Sequence, residues 1–286
     1  MHAKVNERSS SAGHRPTGID SGGRGRGVVT NGREPNTMFL TAPRLAPPGA
    51  HYPDFEWAHP AEVMEWVASA VDRLAIATSF QSSGLVILHL LRTIRPGLPV
   101  LFLDTGFHFP ETLAFKDELA QMWDLEIIEL RGSHGSPERQ ARTYGPELFR
   151  REPDACCEIN KVQPLQRALE QFDGWIAGIR RDQSPLRANT PIIEPQLLPS
   201  GREILKIHPL ATWDAADVES YVSAHEIPTH PLLEEGYRSI GCWPCTRLVS
   251  SGETERAGRW DGSDKRECGI HSFGLPHNPR QTEAEQ

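Results

Sequence analysis

The sequence predicts an α/β fold built on a parallel sheet, and three observations carry that expectation. Short apolar runs at Leu74–Ala77, Val100–Leu103, Leu125–Leu130 and Trp175–Gly178 have the length and composition of buried strands. Segments with helical spacing of apolar residues separate them, so consecutive strands must run parallel with a helix returning the chain. The first two runs end in small polar turns, Thr78–Gly84 and Asp104–Gly106. Such turns lie beyond the carboxyl ends of the strands, where open sheets of this kind collect ligands.

In chain order, residues 1–50 are Ser, Gly, Arg and Pro with little aliphatic spacing. Such a stretch buries too little surface to offset the entropy of ordering, and it reads as a disordered polar leader outside the fold. The folded domain is expected over 51–271, with 272–286 as a flexible tail. Val63, Trp66, Val67 and Ala70 recur at helical spacing ahead of the first strand. After the Thr78–Gly84 turn, Leu85, Ile87, Leu88, Leu91 and Ile94 form a strongly apolar helix pattern. The second strand leads to a helix starting near Pro110 and then to the third strand. The polar stretch 131–154, with a short helix around Gln140, delivers Cys156 and Cys157 to a helix over Val162–Phe172. The fourth strand is followed by a Pro-rich loop, an edge strand over Glu203–Ile207, and a helix capped from Thr212 that runs to about His225. Residues 229–238 read as loop.

Composition narrows the function. The chain has 286 residues and a formal charge of -8, which excludes wholesale binding to nucleic acid but leaves room for a local basic pocket around one small anion. No apolar run approaches membrane-spanning length. The leader lacks the apolar stretch of a signal peptide, so the expected compartment is the cytoplasm. In that reducing setting five cysteines point to metal binding or catalysis over structural disulfides.

Cys242-Trp-Pro-Cys245 directs two thiolates from one tight turn to one centre. With Cys156 and Cys157 it makes four sulfurs, a set that suits a tetrahedral zinc and an iron-sulfur cubane equally by spacing. The tandem pair tilts slightly toward the wider cubane, because neighbouring side chains diverge unless the backbone bends. Cys268 is the fifth thiol, and its glycine neighbour and polar surroundings argue against burial. Arg256 and Arg259, spaced i, i+3 beside Trp260 in an acidic chain, have the pattern of an anion clamp. The turn holding Ser79, Ser82, Ser83 and Gly84 precedes a helix N-terminus, where free N–H groups and the helix dipole attract an anion. Asp104 and Thr105 are expected to face a nucleotide because of their place at a strand end. His271 is a candidate acid or helper of Cys268.

The motifs Cys156-Cys-Glu-Ile-Asn-Lys161, Gly178-Ile-Arg-Arg-Asp-Gln-Ser184, Gly236-Tyr-Arg-Ser-Ile-Gly-Cys242-Trp-Pro-Cys245, Gly258-Arg-Trp260 and Glu267-Cys-Gly-Ile-His271 together resemble the assimilatory adenylyl-sulfate (APS) reductases. The likeness spans roughly residues 74–271. It implies a Rossmann-like sheet of the adenine nucleotide α-hydrolase type, with helices on both faces and an irregular C-terminal tail. It also implies a [4Fe-4S] cluster on Cys156, Cys157, Cys242 and Cys245, and reduction of APS to sulfite and AMP with electrons from thioredoxin. In that scheme Cys268 is the nucleophile that becomes an S-sulfonate. Lys161, Gly178 and Arg187 join Ser79, Ser82, Ser83, Gly84, Asp104, Thr105, Arg256, Arg259 and His271 as substrate-binding residues.

One departure separates this chain from the wider superfamily. The Ser-Gly-Gly-x-Asp-Ser loop of its ATP-using members is here Ser79-Phe-Gln-Ser-Ser-Gly84, which disfavours an ATP-dependent adenylyltransferase or tRNA-sulfur transferase. The nearest competing activity is reduction of the 3'-phosphorylated substrate PAPS, or dual use of both. Relatives restricted to PAPS generally lack the four cluster cysteines. A metal-stapled binding module, in which Cys268 would be dispensable, is the non-enzymatic alternative.

Overall fold

The computed structural model describes residues 52–274. The leader expected over 1–50 and the end of the expected tail lie outside the described residues. Six strands form one sheet in the order β3-β2-β1-β4-β6-β5. These are β1 Leu74–Ala77, β2 Val100–Asp104, β3 Ile127–Arg131, β4 Gly174–Ala177, β5 Ile193–Leu197 and β6 Glu203–Ile207. All neighbouring pairs are parallel except β5 with β6.

Two expectations at this end of the sheet need correction. Residues 193–197 are a strand, not loop, and they take the edge, so β6 is interior, between β4 and β5. Pro195 hid β5 in the sequence, since proline interrupts a strand pattern; the position is compatible with proline because an edge strand needs only one of its sides for pairing.

Helices cover both faces. On one face α1 (Pro60–Ala70), α2 (Ser82–Ile94), α3 (Pro110–Trp123) and later α8 (Ala215–Ala224) pack against Ile76, Phe102 and Ile207. On the other face Leu165 and Leu169 pack with Leu101, Trp175 and Ile204. The helix bearing Leu165 is the last part of a compound element. Short helices α4 (Pro137–Tyr144), α5 (Leu148–Arg151) and α6 (Pro153–Cys157) lead into a π-turn at Glu158–Val162 and then α7 (Gln163–Leu169). The π-turn follows Cys157 directly, and such wide turns concentrate at functional sites.

The N-cap of α8 is Asp214, two residues past the expected Thr212, with a reciprocal capping box to Asp217. Within the stretch expected as loop, Pro231–Glu234 forms one short helix, α9. At the C-terminal end the packed chain continues past His271: Gly274 accepts a hydrogen bond from Leu197 N at 2.7 Å, and Phe273 packs against the second core cluster. Among the described residues no helix is long and apolar enough to cross a membrane.

Candidate functional site

A cavity of about 710 Å³ opens at the carboxyl ends of β1 and β4. Its floor is the turn between β1 and α2. Phe80 sits there with φ 59, a strained left-handed conformation for an aromatic residue. The strain is held because the Phe80 ring is fully buried against Phe102 at 5.8 Å and its N–H donates to Thr78 Oγ1 at 3.0 Å. Gly84 is required in this turn, since a Cβ there would lie 2.1 Å from Thr78 Oγ1. Gly178, at the end of β4, lets that strand approach the start of α2: a Cβ would come within 3.3 Å of Gly84 N. The α2 N-cap Gln81 caps nothing with its side chain. Instead it exchanges two 2.8 Å hydrogen bonds with the backbone of Ile240 and donates to Ser79 Oγ. The turn is thereby stitched to the segment leading into Cys242.

Cations form the opposite wall. Arg259 lies flat on Gly241, where a Cβ would fall 2.1 Å from its Nη2, and stacks 4.7 Å from the centre of the Trp260 ring. Arg256 approaches the same ring at 5.8 Å. The Nε atoms of both arginines are buried without a protein partner among the described residues. Burial and the nearby Arg187 push Arg256 down to about 10. Buried donors without acceptors are uncommon; both side chains line the cavity and lend it positive charge. Arg187 is engaged differently from expectation. It donates in a fork to Glu267 at 2.8 and 2.7 Å and to Gln183, so it tethers the segment before Cys268. Arg256 shares the same carboxylate at 3.1 Å.

Cys268 lines the cavity but is buried, contrary to the expectation drawn from its glycine neighbour. Gly269 has the opposite effect: without a side chain it lets the chain settle against Val162, whose Cγ2 would be 3.0 Å from a Cβ. Cys268 packs with Cys157 and Trp260. A hydrogen bond from the Cys157 thiol, the Lys161 ammonium, the Ile270 N–H and Arg259 hold its thiol well below the ordinary cysteine value against the effect of burial. His271 also lines the cavity. Burial, together with Arg187, Lys206, His208 and Arg256, drives its pKa far below the usual histidine value.

The other four cysteines surround a second, smaller chamber with Lys161 and Trp260. Thr105 Oγ1 lies 3.3 Å from Cys242 Sγ, while Gln140 Nε2 and Asn160 Nδ2 point at Cys156 Sγ from 3.7 and 3.6 Å. Burial raises the Cys156 thiol and, with Cys242, pushes Cys245 up to about 11, which disfavours leaving these sulfurs as free thiolates. Among the described residues no three His, Cys, Asp or Glu side chains converge on one ion position. Four thiol donors ringed round one chamber, with polar groups aimed at Cys156 and Cys242, suit a soft-metal group, and that donor set does not choose between a tetrahedral zinc and an iron-sulfur core. Lys161 borders both spaces, and despite burial the thiols of Cys242, Cys268 and Cys157 raise its pKa above that of an ordinary lysine.

The large cavity therefore gathers Ser79, Ser82, Ser83, Gly84, Lys161, Gly178, Arg187, Arg256, Arg259, Cys268 and His271. It does not include Asp104 or Thr105. Asp104 is turned to Arg131, and Thr105 faces the cysteine chamber, because the strand-end rule locates the turn without fixing which way its side chains point. Arg180 lies outside the expected site residues, and its nearest partner along the chain is Asp182, two residues away. That pair exists at 2.9 Å, yet the side chain is buried in the cavity wall and also donates to Ser83 Oγ at 2.8 Å and Glu255 at 2.9 Å. Gln81 and Glu267 likewise gave no separate signal as functional residues.

Comparison with known proteins bears on this geometry. Residues 73–248 match the family model described as the phosphoadenosine phosphosulfate reductase domain. The adenosine 5'-phosphosulfate reductase of Streptomyces coelicolor is 42% identical over 76% of this chain and 90% of its own length. The phosphoadenosine 5'-phosphosulfate reductase of Gloeobacter violaceus is 42% identical over 70% of this chain and 83% of its own length. Among solved structures, the phosphoadenylyl-sulfate reductase of Candida auris in complex with phosphate superimposes with a TM-score of 0.58 at 31% identity, covering 68% of this chain and 93% of that one. With a thiol and two guanidinium groups meeting over an anion-ready turn, and with relatives matched along nearly their whole length, the chain belongs to the APS/PAPS reductase family.

Proposed function

We propose that this chain reduces APS to sulfite and AMP through an S-sulfonate on Cys268, with thioredoxin as electron donor, in the cytoplasm as a step of sulfate assimilation. The observation that carries the reading is the placement of Cys268 in one cavity with the Ser79–Gly84 turn and the paired arginines. The sulfur of a sulfate group is shielded by anionic oxygens, so attack on it needs a soft nucleophile and cations to offset the charge. The Cys268 thiolate attacks that sulfur, the S–O bond to the AMP phosphate breaks, and AMP leaves with the electron pair. A thioredoxin thiolate then attacks Cys268 Sγ; sulfite departs with the S–S electron pair and a mixed disulfide forms. The second thioredoxin thiol displaces Cys268 and leaves oxidised thioredoxin.

Cys156, Cys157, Cys242 and Cys245 are the residues that would hold a [4Fe-4S] cluster. When bound, that group would supply a fixed anionic charge beside Lys161. With Cys157 serving as a ligand, Lys161, Arg259 and the Ile270 N–H remain to stabilise the Cys268 thiolate. The four-cysteine set favours APS over PAPS as the substrate.

Incubating anaerobically purified protein with sulfur-labelled APS tests the reading. The expected result is one sulfonate adduct on the Cys268 peptide, discharged as sulfite when reduced thioredoxin is added, in a protein that contains iron and absorbs in the visible. An adduct on another residue, or zinc in place of iron, would sink the corresponding part. The clamp has its own test in Gly241→Ala, whose methyl group displaces the Arg259 guanidinium. The Michaelis constant for APS is expected to rise roughly tenfold, as for loss of one charge-assisted contact, with little change in melting temperature. An unchanged Michaelis constant would show that Arg259 does not hold the substrate.

A further inference from the structure

Beyond Cys268 the chain is fastened to the sheet by three consecutive attachments. Lys206 Nζ donates to the His271 carbonyl at 2.8 Å, Gln196 Nε2 to that of Phe273 at 2.9 Å, and Leu197 N to that of Gly274 at 2.7 Å. Two of these donors are buried inside the protein: Lys206 is 1% exposed and Gln196 is 0% exposed. On β6, Lys206 is in register with Trp175 of β4 and Glu194 of β5. Glu194 Oε1 holds its ammonium at 3.0 Å, and the Trp175 ring lies 5.7 Å away. The His271 ring lies parallel to the same indole, 7° between planes and 6.4 Å between centres. Gln196 is fixed in turn by Trp175 Nε1 at 2.6 Å.

A lysine inside a sheet is costly, and a methionine would fill the same space without a charge to desolvate. Apart from its counter-ion, the only hydrogen bond from this ammonium among the described residues goes to the backbone of the Cys268 segment. Upstream of the thiol, Glu267 is held by Arg187 and Arg256. Cys268 therefore sits midway along a strap pinned at both ends.

We infer that Lys206, fixed by Glu194, is a positioning residue for Cys268: it fastens the downstream end of the strap so that the thiol faces the cavity. This rests on the reading of Cys268 as the nucleophile. Lys206 does not line the cavity, so it acts through the strap and not on the substrate. The same fastening works against the second half-reaction, in which Cys268 must meet a dithiol on another protein. Loosening it therefore affects the two half-reactions in opposite directions, which a merely structural lysine would not do.

The test uses anaerobically purified whole protein carrying Lys206→Met. Alkylation of Cys268 by iodoacetamide, followed on its own peptide, is expected to accelerate about tenfold, and single-turnover sulfonation by APS to slow by about tenfold or more, the scale set by slight misplacement of a reacting group. Discharge of the preformed sulfonate by thioredoxin should be as fast as in the unsubstituted protein or faster. Gly274→Ala is a second variant, on the strap itself. Gly274 has φ +64, and a Cβ would lie 1.9 Å from Leu197 O, so the methyl group breaks the last attachment without entering the core. It should shift all three rates the same way by a smaller factor, and it decides the question alone if Lys206→Met does not fold. Unchanged alkylation in both variants, or discharge slowed in parallel with sulfonation, overturns the inference. The alkylation measurement needs no substrate. If the unsubstituted protein forms no sulfonate, the functional reading fails while the fastening is still tested.

Discussion

Cys268→Ser is expected to lower sulfite release from APS by about 10⁵-fold or more, the scale on which removal of an essential nucleophile acts. Serine preserves the size and the backbone turn that places Gly269 against Val162, but an alkoxide is inaccessible near neutral pH and is a poor partner for a crowded sulfate sulfur. The four cysteines of the second chamber are untouched, so iron content and visible absorption should be retained. That separation of effects distinguishes a catalytic thiol from one that helps to hold the inorganic group. Turnover within a hundredfold of the unsubstituted protein would remove Cys268 from the mechanism, and loss of iron along with activity would reassign it to the second chamber.

Arg256→Met is expected to reduce kcat/KM for APS by about 10²-fold to 10³-fold, comparable to losing one preorganised donor in an oxyanion site. Its guanidinium group lines the cavity beside Arg259 and Cys268, where it can meet an anionic ligand. The fold should tolerate the change. Glu267 keeps its bidentate partner Arg187, so no buried carboxylate is stranded, and methionine replaces the aliphatic stem beside Trp260. Steady-state kinetics with a parallel thermal melt makes the check. A fall in melting temperature with kcat/KM intact would mean that Arg256 serves the packing of the strap and not the substrate.

What the sequence disclosed follows the range over which its signals act. β1, β2 and β4 are local apolar runs, and the turn after β1 is local chemistry, so their places could be read directly. Cys156, Cys157, Cys242 and Cys245 were legible as a set because thiols are scarce and the C-x-x-C spacing is itself geometric. Arg180 and Gln81 were not, because their roles depend on Ser83 and Ile240, which lie 97 and 159 residues away along the chain. Pro195 conceals β5 in the sequence, and β6 reads as an edge because nothing in its own residues records a further neighbour. The burial of Cys268 is hidden for a related reason. Glycine signals close approach as readily as exposure, and only the position of Val162 decides between them.

The left-handed Phe80 has a consequence for how the cavity receives a ligand. Its backbone can leave that conformation only if the ring withdraws from Phe102, which means opening the interior of the domain. The floor of the cavity is thus kept in shape by the cohesion of the whole sheet and not by whatever occupies it. An arriving nucleotide meets a surface already formed, and none of its affinity is consumed in arranging the amides that receive it.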